Sequence, residues 1–163
     1  VVFIGEGPGF HEDQQGRPFV GPAGQLLDEL LEAAGFKREE VYITNMVKCR
    51  PPNNRDPLPG EIDACRPYLE QQLEMIGPKV VVTLGRYSFS KFFPDIPIGK
   101  ARGEPRSWNG ITIFPMYHPA AALRNGALRA TLERDFNELP RVVATKPPPL
   151  ESQPENSEQL SLF

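Results

Sequence analysis

Apolar residues fall along this chain in two alternating rhythms. Four short runs, residues 1–5, 41–47, 80–85 and 111–117, are almost continuously apolar and rich in β-branched side chains. Each has the length and composition of a strand buried on both faces. Between them apolar positions recur at helical spacing. Residues 21–34 carry Leu26, Leu27, Leu30 and Leu31 and close at Gly35, while residues 59–76 carry Ile62, Leu69, Leu73 and Ile76 and stop at Gly77-Pro78. Glycine just past the last periodic position is a helix-stop signal. A short helix is expected over residues 86–93, ahead of a Pro/Gly-rich run at 94–105, and a last helix over 128–143. Strands alternating with helices predict right-handed βαβ crossovers, hence an α/β fold with a parallel sheet between two helical layers.

The rhythm ends at residue 146. KPPPLESQPENSEQ is proline-rich, acidic and nearly free of apolar residues, which predicts a disordered, extended tether over 146–158. It finishes on Gln159-Leu160-Ser161-Leu162-Phe163, three large apolar residues with no core to enter. Such a tip suits a partner's groove.

Length and charge narrow the picture. A chain of 163 residues suits one folded domain. Its net charge of -3 argues against holding nucleic acid by bulk charge. Basic stretches at 48–55, 100–106 and 124–134 nevertheless leave room for a local phosphate-binding surface. No apolar run approaches the ~20 residues of a membrane span, and no leader pattern is present. A cytoplasmic protein is expected. The chain opens inside a strand, at Val1 and without Met, as a fragment of a longer protein does.

Candidate chemistry gathers where strands end. The first strand empties into Gly5-Glu6-Gly7-Pro8-Gly9, with acids following at Glu12 and Asp13 and an isolated aromatic at Phe19. This loop is neither a Walker A loop nor G-x-G-x-x-G. On spacing alone a tight turn is as good a reading as a ligand loop. Asn45 falls near the end of the second strand, where an amide can present a donor and an acceptor to a base edge; an Asn satisfying turn backbone is the plainer reading. Downstream, Asn54 or Asp56 is placed to cap the next helix. His118 follows the fourth strand, where an imidazole can stabilise negative charge on a leaving group. Beyond it, Leu123 and Arg124 either begin the last helix or form an apolar tip beside a cation, suited to wedging a base stack. Two cysteines, Cys49 and Cys65, are too few for a disulfide scaffold or a tetrathiolate metal site, and as a lone pair read as small buried residues.

Taken together, the segments GEGPGFHEDQQGRPFVGPAGQLLD, NMVKCRPPNNRDPLPGEIDACRPYL and HPAAALRN resemble the family 4 uracil-DNA glycosylases, the thermostable iron–sulfur branch of that superfamily. The match runs in order over nearly all of residues 1–144. It implies a three-layer α/β/α fold with a four-stranded parallel sheet of order 2-1-3-4, occupying residues 1–145. It also implies a monomeric DNA repair hydrolase acting on uracil in single- and double-stranded DNA. By the same resemblance, Phe19 stacks on the extruded uracil, Asn45 reads its edge, Asn54 supports the site, and His118 bonds the uracil O2. Gly7 stands where other uracil glycosylases carry a water-activating Asp, so water handling passes to Glu12 first and Glu6 second. Leu123 and Arg124 belong to the loop that enters the duplex. Cys49 and Cys65 match two of four thiolate ligands of a structural 4Fe-4S cluster, the other two being expected upstream of Val1. Gln159, Leu160, Leu162 and Phe163 resemble a peptide that docks on the bacterial sliding clamp.

Two other readings remain open from sequence alone. One is a non-catalytic, replication-associated DNA-binding module. The other is a superfamily relative acting on hypoxanthine or mismatched thymine.

Overall fold

The computed structural model describes residues 1–149. The elements follow in the order β1 (Val2–Gly5), α1 (Phe10–Gln15), α2 (Pro22–Ala33), β2 (Tyr42–Asn45), α3 (Pro59–Ile76), β3 (Val80–Leu84), α4 (Arg86–Ser90), α5 (Ile98–Ala101), β4 (Arg106–Trp108), β5 (Ile111–Met116), α6 (Pro119–Ala122) and α7 (Gly126–Ala144). The sheet order is β2-β1-β3-β5-β4. Its first four members are parallel, in the order expected from the sequence.

Side-chain alternation along each strand divides the core in two. On one face Phe3, Val80, Val82, Leu84, Phe114 and Met116 meet the leucines of α2 and Leu132, Phe136 and Leu139 of α7. On the other, Val2, Ile4, Val81 and Ile113 meet Leu69 of α3 and Phe89 of α4, with Phe92 and Phe93 just beyond it. Apolar contact on both faces is why these strands read as continuous runs rather than as alternating ones.

Several expectations need correction. A fifth strand, β4, pairs antiparallel with β5, matching Trp108 with Ile111 and Arg106 with Ile113. It closes the edge of the sheet with only three residues. The short helix after β3 ends at Ser90 rather than Phe93. The last helix starts two residues early, because the Asn125 side chain accepts the N–H groups of Ala127 and Leu128. Neither Asn54 nor Asp56 caps α3. Leu58 holds that position, Pro59 follows it, and the Leu58 N–H donates to Glu61 Oε2 at 2.8 Å. Asp56 instead pairs with Arg86 at 2.8 Å.

Among the described residues no helix is long and apolar enough to cross a membrane. Gln159, Leu160, Leu162 and Phe163 lie outside the described residues, as does most of the expected tether.

Candidate active site at the carboxyl ends of the strands

Parallel register brings the ends of β1, β2, β3 and β5 to one edge of the sheet, with Gly5 directly opposite Asn45. A cleft of about 340 Å³ opens there, at the point where the strand order reverses. Glu6, Gly7, Glu12, Phe19, Asn45, Asn54 and His118 all line it, together with Arg55. Residues drawn from widely separated parts of the chain therefore share one pocket.

Phe19 forms one wall. It is 4% exposed and sits at φ 51°, left-handed backbone that a bulky residue rarely adopts. Two features hold it there. Arg38 donates to the Phe19 carbonyl at 2.7 Å and also to the Pro18 carbonyl, while pairing with Asp28. Gly24 packs so closely that a Cβ would stand 2.0 Å from the Phe19 carbonyl oxygen. The strain at Phe19 is thus held by a guanidinium from beyond α2, a contribution with no local signal in the sequence.

Asn45 is 5% exposed, and its Oδ1 is buried without a hydrogen-bond partner among the described residues. Burying an unpaired acceptor costs about 1–3 kcal/mol. A ligand N–H delivered to that atom would relieve the cost.

His118 lies two residues past the end of β5 and caps α6. Its Nδ1 accepts the Ala120 N–H at 3.0 Å. Burial pushes the imidazole down to about 4, with the Glu12 charge opposing. A neutral ring whose Nδ1 accepts carries its proton on Nε2. The site therefore holds an imidazole N–H donor at neutral pH.

The two glutamates differ in character. Burial alone would raise Glu12, but backbone donors outweigh it and hold the carboxyl below its ordinary range. Its Oε1 accepts from Val20 at 2.9 Å and Gly21 at 2.8 Å, and its Oε2 accepts from Gly9 at 3.2 Å. Glu12 thereby staples the glycine loop to the start of α2. Glu6 has no such partners among the described residues. Burial and the nearby Asp56 raise it, with Arg86 opposing, so it stays a better proton acceptor than an exposed carboxylate. Asp13, the third acid of the loop, is exposed.

The rim is basic. Asn53 and Asn54 are both left-handed, at φ 55° and 54°. Arg50 Nε donates to Asn54 Oδ1 at 2.6 Å. Leu123 stands 46% exposed at the end of α6 with Arg124 beside it, so it is an apolar tip rather than part of the α7 core face.

The cysteines flank the same loop. Cys49 is exposed, and Cys65 on α3 accepts the Lys48 N–H at 3.3 Å. Lys48 Nζ ties the loop inward through Thr44 Oγ1, the Asn45 carbonyl and Gln72 Oε1, at 2.7–2.9 Å. Burial pushes its ammonium down to about 8, with Cys65 opposing. Thiolate donors, one already bonded to a backbone N–H, fit an iron–sulfur cluster in kind and supply half its ligands in number. Among the described residues no group of three or more metal-ligating side chains is gathered.

Known proteins resemble this chain over most of its length. Residues 1–139 match the Uracil DNA glycosylase superfamily. The chain is 51% identical over 157 residues to a type-4 uracil-DNA glycosylase of Saccharolobus solfataricus, covering 90% of this chain and 73% of that protein. It is 50% identical over 147 residues to a type-4 uracil-DNA glycosylase of Thermotoga maritima, covering 88% and 71%. A type-5 uracil-DNA glycosylase of Pyrobaculum aerophilum is more distant, at 30% over 138 residues, covering 74% and 61%.

Proposed function

Because the chain belongs to the uracil DNA glycosylase superfamily, we propose that it excises uracil from DNA and leaves an abasic site, the first step of base excision repair. The observation that carries this reading is Asn45, which lines the cleft and whose buried Oδ1 has no partner among the described residues. Uracil carries an N–H at N3 and so satisfies that acceptor. Cytosine presents a lone pair at N3 and leaves the acceptor unpaired, a basis for rejection.

A base inside a duplex is out of reach, so it must be extruded into the cleft. Leu123, exposed at the end of α6, and Arg124 beside it are the residues assigned to fill the space it leaves. The extruded ring packs on Phe19 while Asn45 takes its edge. As the C1′–N1 bond breaks, the electron pair leaves with the base and negative charge develops on the uracil O2. His118 Nε2–H donates to that oxygen, a preorganised stabilisation of the leaving anion. Water attacks C1′ from the opposite side and gives up a proton. Glu6 is the carboxylate assigned to the electron-poor sugar and to that proton, by analogy with glycosidases. Glu12 positions the loop instead, because both of its oxygens are engaged by backbone N–H groups. Asn54, fixed by Arg50, supports the site from the rim.

Cys49 and Cys65 would hold two corners of a 4Fe-4S cluster, whose part when bound is to brace the 48–55 loop. Residues 1–145 form the catalytic unit, 146–158 a tether, and 159–163 a peptide for the bacterial sliding clamp. Support for the clamp reading is the apolar pattern of Gln159-Leu160-Ser161-Leu162-Phe163 alone.

The test is direct. The full chain is incubated with single-stranded uracil DNA and with U:G, U:A, T:G and hypoxanthine-containing duplexes, and abasic sites are scored by alkaline cleavage. Cleavage at uracil in each context, with none at T:G, is expected. No cleavage at any base would leave a binding module, and preference for hypoxanthine or thymine would move the substrate. Deleting residues 159–163 should abolish clamp binding and leave excision from short oligonucleotides unchanged.

A further inference from the structure

Phe10 is misplaced for a core aromatic. It opens α1, an element with no buried residue, and 48% of its surface is exposed. Its orientation is fixed nonetheless. The Arg50 guanidinium lies 5.4 Å from the ring centroid, within cation–π range. His11 meets the ring edge-on, with centroids 5.4 Å apart and planes at 82°. Arg50 is anchored in turn, by the 2.6 Å bond from its Nε to Asn54 Oδ1, and Asn54 lines the cleft. Gly9, the residue before Phe10, lines it as well. An open aromatic ring is therefore tied, through one cation and one amide, to the wall of the cleft.

We propose that Phe10 and Arg50 form a stacking platform for the nucleobase next to the extruded uridine on the same strand. The platform rests on the uracil-excision reading and adds a second nucleotide subsite to it. Extruding a base strips its neighbour of one stacking partner. An oriented aromatic beside the cleft offers a replacement, and base–aromatic stacking tolerates any sequence because every base has a π-face. Arg50 adds a positive charge beside that ring, which favours a phosphate next to the stacked base. The same contact would hold single-stranded DNA, which lacks a second strand to keep its bases stacked.

The probe is a single-stranded oligonucleotide carrying 2′-fluoro-uridine, whose electron-withdrawing fluorine resists excision, with 2-aminopurine on one side or the other. The full wild-type chain should quench 2-aminopurine on one side when it binds. Phe10→Ala should lose that quench and bind about tenfold more weakly, while Phe10→Trp keeps both and shows that the position tolerates change. Replacing the flanking base by an abasic spacer should cost wild type a similar factor and Phe10→Ala nothing further. Wild-type binding and quenching by Phe10→Ala, or an equal spacer penalty in both proteins, would overturn the platform. The excision reading fails separately, if the wild-type chain releases no uracil from the unmodified oligonucleotide.

Discussion

Phe19 and His118 stand ring against ring, with centroids 5.5 Å apart and planes 25° from parallel. A base slotted between two rings needs about 7 Å, twice the ordinary carbon–carbon contact distance. Uracil therefore cannot be sandwiched by this pair. On the proposed reading it lies beside the imidazole against Phe19, with its edge toward Nε2. His118→Ala should lower kcat by about 10²–10³-fold, the usual effect of losing one preorganised donor, with a much smaller change in KM. Single-turnover kinetics on a single-stranded uracil oligonucleotide measures both, and a loss confined to KM would contradict the assignment.

Glu12 carries a different expectation. Glu12→Gln keeps one acceptor oxygen where the carboxylate offers two, leaving at least one of the Gly9, Val20 and Gly21 N–H groups unpaired. Stability should drop by about 1–3 kcal/mol, and activity should fall as the loop loosens. Thermal melts of the variant settle this. Unchanged melting with lost activity would return Glu12 to the chemistry.

The pH profile follows from Glu6 and His118. Glu6 is raised above the ordinary carboxylate value, first by burial and then by Asp56, so its ionised form is lost at a higher pH than an exposed glutamate's. The acid limb of kcat/KM should lie above the ordinary value of 4.5 and vanish in Glu6→Gln. Asp56→Asn removes a charge that raises Glu6 and frees Arg86, which lowers it, so both effects move the limb to lower pH. Because burial pushes His118 from 6.5 down to about 4, no inflection is expected near 6.5.

Gly7 and Val47 are coupled. A Cβ at position 7 would stand 2.6 Å from Val47 Cγ2, and a β-branched side chain has little freedom to give way. Gly7→Asp alone should destabilise the protein by about 1–3 kcal/mol through overpacking. Adding Val47→Ala should restore much of that loss, as melting of the two variants and the double variant would show. Additive effects would mean the two positions do not compete for space.

Much of this is legible in the residues. The parallel strands announce themselves because burial on both faces of β1, β3 and β5 keeps them mostly apolar, and Asn45 and His118 can be placed at strand ends by counting. The edge strand cannot. Arg106, Ser107 and Trp108 carry no pattern of their own, and their pairing with β5 is set by tertiary contact. Arg38 is invisible for a related reason, since what it grips is backbone, the carbonyls of Pro18 and Phe19. The motif points to Glu12 as the principal water-handling carboxylate, but its three partners are backbone N–H groups, which no residue type betrays. Sequence locates that carboxylate, and only the folded loop shows how its oxygens are occupied.

The three-residue strand β4 has a consequence for how copies of the protein behave toward one another. Outer strands offer rows of open N–H and C=O groups that can recruit another chain. Here the sheet ends in a strand of four residues at β2 and one of three at β4, and the β2 rim is further occupied where Gln72 Nε2 donates to the Tyr42 hydroxyl at 3.1 Å. Neither rim gives a stray segment enough length to zip onto. The shortness of both borders makes this sheet a poor template for edge-to-edge pairing.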